Sequence, residues 1–507
     1  MKIARTKNAR KNILFGTIYK IYQIIVPFVM RTLMIYQMGM EYAGLNNLFT
    51  SIFQVLNLAE LGIGAALTCS MYKPIAEDDQ TKICALLNVY KNCFTIIGWI
   101  VMVLGLICVP FLRLLVRGSI PGNLNMTILY LLYLLNTVLS YWLFSYKKSL
   151  LYAHQRNDVI SKVMLFTSTI QFGIQVYVLV FLKNYYLYLL ASIGAQILQN
   201  LICAMLVNKM YPLYHAEGKL QKDIVEDIKK KVEGLVTNKI GGTILRSADS
   251  IAISSFLGLS ILAVYQNYYF ILTAIIGIFS IIFESCVAGI GNSLVVEDSN
   301  KNYLDFENVT YIVGWMICVG CACFTALYQP FMTLWVGNKH LLDFSLVVCI
   351  IIYFFLYEID QMIGMYKDAA GIWYSDRFRP LVSAIANLIM NIIMVQVIGL
   401  YGVLLSTVIA LLFIDLPWLI HNVFKELFDG RTVFPYIGKL LKIAVYSITV
   451  SIFVHMVCAK ITFNGILGLV IRLFIAMFLA LGVMLIGEFR SEEFQRFKAI
   501  LIRLAKR

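Results

Sequence analysis

Pro330-Phe331-Met332-Thr333-Leu334-Trp335-Val336 repeats a pattern found 220 residues earlier, in Pro110-Phe111-Leu112-Arg113-Leu114-Leu115-Val116. Both segments have the form PFxxLxV, and each ends a long apolar run. Upstream in the same two runs, Gly314-Trp315 matches Gly98-Trp99. Matches in the same order at similar long spacings, 220 and 216 residues here, indicate two copies of one structural unit within the chain.

Further matches keep the same order. Gly289-Ile290-Gly291-Asn292-Ser293-Leu294 has the GIGxxL form of Gly62-Ile63-Gly64-Ala65-Ala66-Leu67, and Lys239 stands where Lys20 does. Matching residues lie six apolar segments apart, and six is even, so the two copies have the same orientation. Parallel repeats about an axis along the membrane normal are typical of transporters, with the substrate path between the halves. We therefore predict two six-helix lobes.

The composition places the whole chain in a membrane. Of the 507 residues, 60% are hydrophobic and 14% are charged, against about 45–50% and about 25% in soluble domains. These values exclude a soluble enzyme, a disordered chain, a collagen-like chain and a coiled coil. Since a membrane helix needs about 20 apolar residues, we predict fourteen spans at about 13–36, 43–69, 93–116, 125–146, 160–182, 185–207, 236–257, 262–289, 308–335, 342–364, 379–398, 401–424, 437–458 and 464–487.

The basic residues orient these spans. With the N-terminus inside, the inner segments hold 28 Lys and Arg and the outer segments hold 4, which predicts cytoplasmic N- and C-termini. Topology thus explains the net charge of +14, and we expect no nucleic acid partner. The predicted divisions are a lobe at 1–207, a cytoplasmic amphipathic linker at 208–235, a second lobe at 236–424, and appended spans 13 and 14 with an amphipathic tail at 425–507.

Polar stripes inside the spans give the candidate site, because a buried charge in a membrane is costly and faces a bundle interior or an aqueous cavity. The stripes fall on spans 1, 2, 7 and 8, which are equivalent in the repeat. We expect the substrate-binding residues to be Lys20, Arg31, Gln54, Asn57, Lys239 and Arg246, and the residues available for ion coupling to be Glu60, Asp249 and Glu284.

Structural roles compete with these assignments. Lys20 and Lys239 lie near the inner boundary and can snorkel, Arg31 can reach the outer headgroups, and Arg246 with Asp249 can form an ion pair within the bundle. Ordinary boundary charges are an alternative for residues in the inner third of their spans. Those residues are Glu284, Glu358 and Asp360; Asp415 and Arg472 lie at mid-membrane but have no visible stripe.

Other motifs point away from metal, redox and enzyme chemistry. Cys318, Cys321 and Cys323 form CVGCAC inside an apolar run, where small packing residues are expected, and the five His have no metal-ligand spacing. We expect no cofactor and no metal. Every predicted outer loop is short, so we expect a transporter and not an enzyme. The first apolar run has no small-residue cleavage site and is interpreted as a span.

At these residues the chain resembles the polysaccharide-export branch of the multidrug/oligosaccharidyl-lipid/polysaccharide transporter superfamily, and more narrowly bacterial Wzx-type flippases for O-antigen or capsule repeat units. The resemblance covers nearly the whole chain. It rests on Asn8-Ala9-Arg10-Lys11-Asn12, on Asn57-Leu58-Ala59-Glu60-Leu61-Gly62-Ile63-Gly64, and on Ala248-Asp249-Ser250-Ile251-Ala252-Ile253-Ser254-Ser255-Phe256-Leu257-Gly258.

The resemblance implies two lobes forming a V around a central cavity that rock in alternating access. It implies a polyprenyl-pyrophosphate-linked oligosaccharide, moved from the inner to the outer leaflet of the bacterial plasma membrane. The membrane lipids and the polysaccharide polymerase and chain-length machinery are the implied partners. The residues add a reason, because the stripe cations Lys20, Arg31, Lys239 and Arg246 suit an anionic headgroup.

Three other functions stay open. A flippase for lipid II or a teichoic-acid precursor shares the anionic headgroup. A drug or metabolite antiporter of the same fold would favour a cavity dominated by carboxylates, which this chain lacks. A membrane polysaccharide polymerase or glycosyltransferase would need catalytic residues in a sizeable outer loop.

Overall fold

A computed structural model describes residues 5–57, 63–117, 120, 124–220, 225–226, 242–243, 247–461, 463 and 465–505. The regular structure of these residues is helical. Eleven of the described helices are long and apolar enough to cross a membrane, or twelve if one bent pair is a single span. The chain is therefore an all-helical, multi-pass membrane protein.

The chain divides into two compact units, unit 1 (Met1–Ala263) and unit 2 (Val264–Arg507). The four-part division at 207, 235 and 424 stays a prediction. The helices of unit 1 are α1 (Arg5–Gln37), α2 (Met40–Leu56), α3 (Ile63–Ala76), α4 (Gln80–Cys108) with the 3₁₀ turn Val109–Leu115, α5 (Met126–Trp142), α6 (Lys148–Ala153), α7 (Asn157–Tyr177), α8 (Tyr185–Met210) and α9, described over 247–256.

Helix α10 (Leu259–Val296) starts in unit 1 and continues into unit 2. The other helices of unit 2 are α11 (Ser299–Val336), α12 (Phe344–Ala370), α13 (Arg379–Ile398), α14 (Leu400–Ala410), the π-helical turn Leu411–Asp415, α15 (Leu416–Leu427), α16 (Phe434–Cys458), α17 (Gly465–Glu488) and α18 (Glu492–Ala505).

These helices follow the fourteen predicted spans closely. The span predicted at 379–398 coincides with α13, and those at 185–207 and 464–487 differ from α8 and α17 by at most three residues. Several predicted spans differ more: α4 begins thirteen residues before the span at 93–116, and α11 begins nine residues before the span at 308–335. The span at 43–69 corresponds to α2 and α3, with 58–62 between them outside the described residues, and the span at 236–257 is described mainly from 247 onward.

Local sequence sets the helix limits. The side chains of Asn125 and Asn184 accept hydrogen bonds from the first backbone N–H groups of α5 and α8, as N-cap residues do. Gly399 has φ +59° between α13 and α14, and a Cβ on Gly402 would clash with the Met394 carbonyl oxygen. The tight turn between α13 and α14 therefore needs both glycines.

The two units repeat the same neighbour pattern. In unit 1, α4 contacts α5, α7 contacts α8, and α5 contacts α8. In unit 2, the equivalent helices six spans later make the equivalent contacts: α11 with α12, α13 with α14, and α12 with α14. The six-span repeat predicted from short sequence matches is thus present in the packing of each unit.

The appended helices cover one face of α11. A core of small residues joins them, with Cys318, Ala322 and Ala326 on α11 against Val450, Val454, Cys458, Ala476, Ala480 and Met484 on α16 and α17. Small residues let helix backbones approach closely, and close approach is the main source of helix association in lipid. Cys318 thus serves as a packing residue in this core.

Candidate functional site

Arg31 lies in the outer half of α1 in the predicted topology and turns its guanidinium inward. Its Nη1 donates to Asn47 Oδ1 of α2 at 3.1 Å, and its Nη2 donates to the Ala263 carbonyl oxygen of α10 at 3.2 Å. The side chain is partly buried. These two acceptors are an amide oxygen and a backbone carbonyl oxygen, and the two hydrogen bonds fix the orientation of the guanidinium.

Lys20 and Gln23 lie nearer the N-terminus of α1, and their side chains are exposed at the surface of unit 1. Gln23 Nε2 donates to Tyr19 Oη at 3.0 Å on the same helix. Lys20 and Arg31 are eleven residues apart, which is close to three helical turns, so both belong to one face of α1. The structure therefore places one predicted cation within the unit and the other at its surface.

Helix α2 connects Arg31 to the other candidate residues of unit 1. Asn47, Ser51 and Gln54 follow one face of α2 at i, i+4 and i+7. Asn47 accepts from Arg31, and Gln54 Oε1 accepts from Ser247 Oγ of α9 at 3.4 Å. The predicted stripe on span 2 thus joins α1 to α9.

Asn57 ends this face of unit 1 and accepts a hydrogen bond from Tyr141 Oη at 3.0 Å. Asp249 is buried in α9, between the buried serines Ser247 and Ser250. Glu284 lies in unit 2, and its side chain is exposed at the surface of that unit. The remaining predicted site residues, Glu60, Lys239 and Arg246, lie outside the described residues.

Unit 2 contains an ionic network that sequence reasoning did not assemble. Arg379 at the start of α13 binds Asp376 Oδ1 at 2.8 Å, Asp360 Oδ1 of α12 at 3.1 Å and Asp415 Oδ1 at 2.7 Å. Ser383 Oγ also donates to Asp415, and Lys367 Nζ lies 3.5 Å from Asp376. We call these residues the Arg379 network.

All five charged side chains of the Arg379 network are nearly inaccessible to solvent. The network joins α12, the turn before α13 and the π-helical turn at Asp415, so its first role is structural. Asp360 and Asp415 were left open between functional and structural roles by the sequence. The signal that could have linked them was Asp376-Arg377-Phe378-Arg379 directly before a predicted span, since Arg379 needed a carboxylate on a neighbouring helix.

Glu358 lies two residues before Asp360 on α12 but outside the Arg379 network. It is 1% exposed, and neither carboxyl oxygen has a hydrogen-bond partner among the described residues. A charged carboxylate in such a place would be very costly. The structure therefore places Glu358 in the interior of unit 2 and not at a boundary.

A second feature missed by the sequence lies inside unit 1. A cavity of about 90 Å³ opens between α2, α5, α7 and α8. Its polar walls are amides and hydroxyls, from Asn46, Tyr133, Asn136, Gln171, Gln175, Tyr188 and Ser192. We call it the amide cavity. The sequence signal was the i, i+4 pairs Gln171/Gln175 and Tyr188/Ser192 on adjacent predicted spans.

Similarity to solved structures defines the class of fold. The chain has the fold shared by MurJ-type lipid flippases and by transporters of the MATE family. No protein-family model and no curated sequence matches the chain, so this likeness rests on structure.

Individual solved structures give its extent. A structure of the lipid II flippase MurJ in an inward closed conformation has a TM-score of 0.67 at 18% identity, over 94% of this chain and 99% of that one. An inward-facing multidrug resistance MATE transporter of the MOP superfamily has a TM-score of 0.60 at 13% identity, over 81% of this chain and 96% of that one. An outward-facing structure of a transporter with the same description has a TM-score of 0.53 at 13% identity, over 82% and 92%.

Proposed function

We propose that this chain is a flippase that moves a polyprenyl-pyrophosphate-linked oligosaccharide repeat unit, for capsule, O-antigen or another exopolysaccharide, from the inner to the outer leaflet of a bacterial plasma membrane. The lobes alternate access without a covalent step. Arg31 and the exposed Lys20 on α1 contact the pyrophosphate. Lys239 and Arg246 are proposed to add positive charge, and Gln54 and Asn57 to contact the substrate.

The single observation that carries this proposal is the guanidinium of Arg31. It is a cation within an apolar span, and its Nη1 and Nη2 are oriented by hydrogen bonds to Asn47 Oδ1 and the Ala263 carbonyl oxygen. Charged residues inside a membrane are rare and mark substrate or ion pathways. A planar guanidinium matches phosphate oxygens in a bidentate geometry that an ammonium group does not reproduce.

The lipid II flippase is the second candidate. It is favoured by the similarity to the MurJ structure, which covers nearly all of both chains. Lipid II also presents a pyrophosphate to the protein, so Arg31 has the same role in either case. The two candidates differ in the glycan, and polymerase or chain-length partners are proposed only for the first.

Depletion of the protein in its host tests both candidates. We expect lipid-linked repeat units to accumulate on the inner leaflet and to return to the outer leaflet when the wild-type gene is supplied. Accumulation of lipid II instead would assign the second candidate. Unpolymerised repeat units on the outer leaflet would contradict a flippase and favour a polymerase.

The Arg31 substitutions test the residue assignment. Arg31→Ala should lower the rate of flipping at least about tenfold, since a charge-assisted hydrogen bond to phosphate contributes about 1.5–3 kcal/mol. Arg31→Lys should restore only part of the rate. Arg113→Ala, at an exposed position on the 3₁₀ turn after α4, is the matched control. Normal flipping by Arg31→Ala at equal protein level would remove Arg31 from the site.

A further inference from the structure

The amide cavity of unit 1 contains two acceptors without a donor. Asn136 Oδ1 and Gln175 Oε1 are buried and have no hydrogen-bond partner among the described residues. Gln175 as a whole is 1% exposed. A buried acceptor without a donor destabilises the folded protein by about 1–3 kcal/mol. A ligand that donates hydrogen bonds to these two oxygens would remove that penalty.

The orientation of Gln175 is determined by its surroundings. Its Nε2 donates to the Tyr188 carbonyl oxygen at 3.1 Å and to Ser192 Oγ at 2.8 Å. A backbone carbonyl can only accept, so the amide must present its NH₂ group there. If the amide were turned over, Gln175 Oε1 would face the Tyr188 carbonyl oxygen, and the two oxygens would repel each other. Gln175 Oε1 therefore points away from Tyr188 and Ser192.

The walls of the amide cavity carry no formal charge at any lining residue that the structure describes. The unpartnered oxygens would repel an anion. The NH₂ groups of Gln171 and Gln175, both hydrogen-bonded to Ser192 Oγ, would oppose a cation. A neutral ligand with several O–H or N–H groups matches this lining best.

Size and aromatic content narrow the class of ligand. A space of about 90 Å³ is larger than a single water needs and can receive a small group such as one edge of a sugar ring. Tyr133 and Tyr188 line the same space, and Tyr188 stacks on Tyr185 with ring centroids 5.7 Å apart. Rigid aromatic walls with a few placed polar groups are typical of small-molecule sites.

We propose that the amide cavity is a glycan subsite that binds the hydroxyl-bearing edge of one sugar ring through Asn136 Oδ1 and Gln175 Oε1. The proposal rests on the proposed function, since the sugar belongs to the transported lipid-linked oligosaccharide. Arg31 would then select for the pyrophosphate, and the amide cavity would select for the sugar.

Binding is tested on the full chain in lipid nanodiscs by saturation-transfer NMR with methyl glycosides of glucose, galactose and N-acetylglucosamine. At least one glycoside should give a signal with the wild type, and Asn136→Leu and Gln175→Leu should each weaken it about fivefold or more, as expected for a lost hydrogen bond. Gln196→Leu, one turn beyond Ser192 on α8, is the matched control and should leave the signal unchanged. Monodisperse elution shows that each variant is folded.

Two results would overturn the subsite. One is a wild-type protein that gives no signal with any glycoside, or a signal that both variants retain, which would leave ordered water as the occupant. The other is thermal stabilisation by sodium or potassium chloride over choline chloride that Asn136→Leu abolishes, which would assign a cation.

A flipping assay separates this proposal from the proposed function. Two cargoes are compared, the glycosylated pyrophosphate lipid and the same polyprenyl pyrophosphate without sugar. Asn136→Leu should lower the glycosylated-to-bare flipping ratio about fivefold or more. An unchanged ratio with active wild-type flipping would reject the subsite alone, whereas a wild type that moves neither cargo would reject the flippase.

Discussion

Two cations on α1, Arg31 and Lys20, differ in the hydrogen bonds that their side chains make. Arg31 and Lys20 share one face of α1, yet Arg31 is held by Asn47 and Ala263 while Lys20 is exposed from its unit. The periodicity of the sequence could place both on the same face. It could not show which of them is held by hydrogen bonds, because the partners are 16 and 232 residues away.

His154 is a buried histidine at the cytoplasmic side of the predicted topology. Its Nδ1 lies 2.9 Å from the Leu150 carbonyl oxygen. Its ring packs on Tyr211 and Tyr214, with ring centroids 4.3 and 5.9 Å apart. Burial lowers the pKa of His154, with the Leu150 carbonyl oxygen opposing that shift. Burial likewise raises the pKa of Tyr211 to about 12, so both rings are neutral at pH 7.

Acidification should therefore loosen the contact between His154 and the segment after α8. Because the folded pKa of His154 is lowered, the unfolded chain takes up the proton first as the pH falls through about 6.5. The associated stability is present above that value and is lost below it, by at most about 1.4 kcal/mol per pH unit for one proton. Hydrogen exchange in residues 208–220 should rise more between pH 7.5 and 5.5 than exchange in α13.

Two histidine variants check the source of this pH dependence. His154→Gln should remove the extra exchange at low pH, and His215→Gln, at an exposed position five residues beyond Met210, should leave it intact. If both variants keep the acid response, another group is responsible.

Gly44 of α2 lies against the backbone at the start of α10 in unit 1. A Cβ at this position would clash with the Leu259 carbonyl oxygen. Backbone cannot move aside as a flexible side chain can, so Gly44→Ala should destabilise the protein by about 1–3 kcal/mol. Thermal unfolding in detergent measures this, with Gly173→Ala, where nothing lies within 4 Å, as the neutral control. Equal melting of the two variants would show that α2 and α10 separate readily.

At the scale of helices, the Arg379 network determines how α12, α13 and the turn at Asp415 meet. Three carboxylates surround one guanidinium, and Asn422 Nδ2 adds a hydrogen bond to Asp376 at 3.1 Å. Further along α13, Asn387 Nδ2 donates to Thr407 Oγ1 of α14 at 2.9 Å. This hydrogen bond adds a polar contact between α13 and α14. The network thus extends along a helix pair already joined by the Gly399 turn.

Removing the guanidinium should be severe because it leaves buried carboxylates without their cation. Arg379→Gln should cost about 3–5 kcal/mol, seen as a lower melting temperature and faster hydrogen exchange in residues 371–383 and 411–422. Adding Asp415→Asn should recover part of the loss, since it removes one uncompensated charge.

Arg377→Gln is the control for the Arg379 network. Arg377 stacks on Tyr374 and Phe378 at 3.6 and 4.8 Å from the ring centroids, at exposed positions. Its replacement should shift the melting temperature little. A loss as large as that of Arg379→Gln would show that the exposed turn, and not the buried network, carries the stability.

The Gly-Trp repeat shows how equivalent elements acquire different partners. A Cβ on Gly98 would meet Trp142 of α5, whereas a Cβ on Gly314 would meet Ile443 of the appended α16. The ring centroids of Trp99 and Trp142 lie 4.8 Å apart. The ring centroid of Trp315 lies 6.1 Å from that of Phe494 and 6.2 Å from that of Phe497, both on α18. The same two-residue motif thus supports a contact within the lobe in unit 1 and the docking of the C-terminal helices in unit 2.

At the scale of the molecule, the appended helices are additions to a lobe that already has its own contacts. Lys439 of α16 pairs with Glu307 of α11 at 2.8 Å and with Glu493 of α18 at 3.5 Å, and Lys442 pairs with Glu488 of α17 at 2.8 Å. Burial raises the pKa of Glu493, but a backbone hydrogen bond together with Lys439 and Lys442 brings it below its ordinary value. The tail is therefore attached by ion pairs as well as by aromatic contacts.

Truncation tests this additive construction. Deleting residues 434–507 should still give membrane-inserted protein, because lipid can replace α16 and α17 against α11 without a hydrophobic penalty. The truncated protein should melt at a lower temperature than the full chain, since the small-residue core is lost. Deleting residues 491–507 should have a smaller effect. Failure of the longer deletion to insert at all would contradict this view.

The class of membrane protein, the approximate limits of most helices and the six-span repeat follow from the sequence alone. These depend on local quantities, namely the length of apolar runs, the residues that cap helices and the order of short motifs. The prediction of α13 at 379–398 succeeded because an apolar run bounded by Pro380 and Gly399 has few other conformations.

Which polar groups meet is set by helix packing. The Arg379 network joins residues from 360 to 415, and the amide cavity gathers residues from 46 to 192. A polar residue in a span shows that a partner is needed but not which one, because any helix of the bundle can supply it. The choice follows from helix packing, where Gly44 and Gly402 permit approaches that a side chain would block.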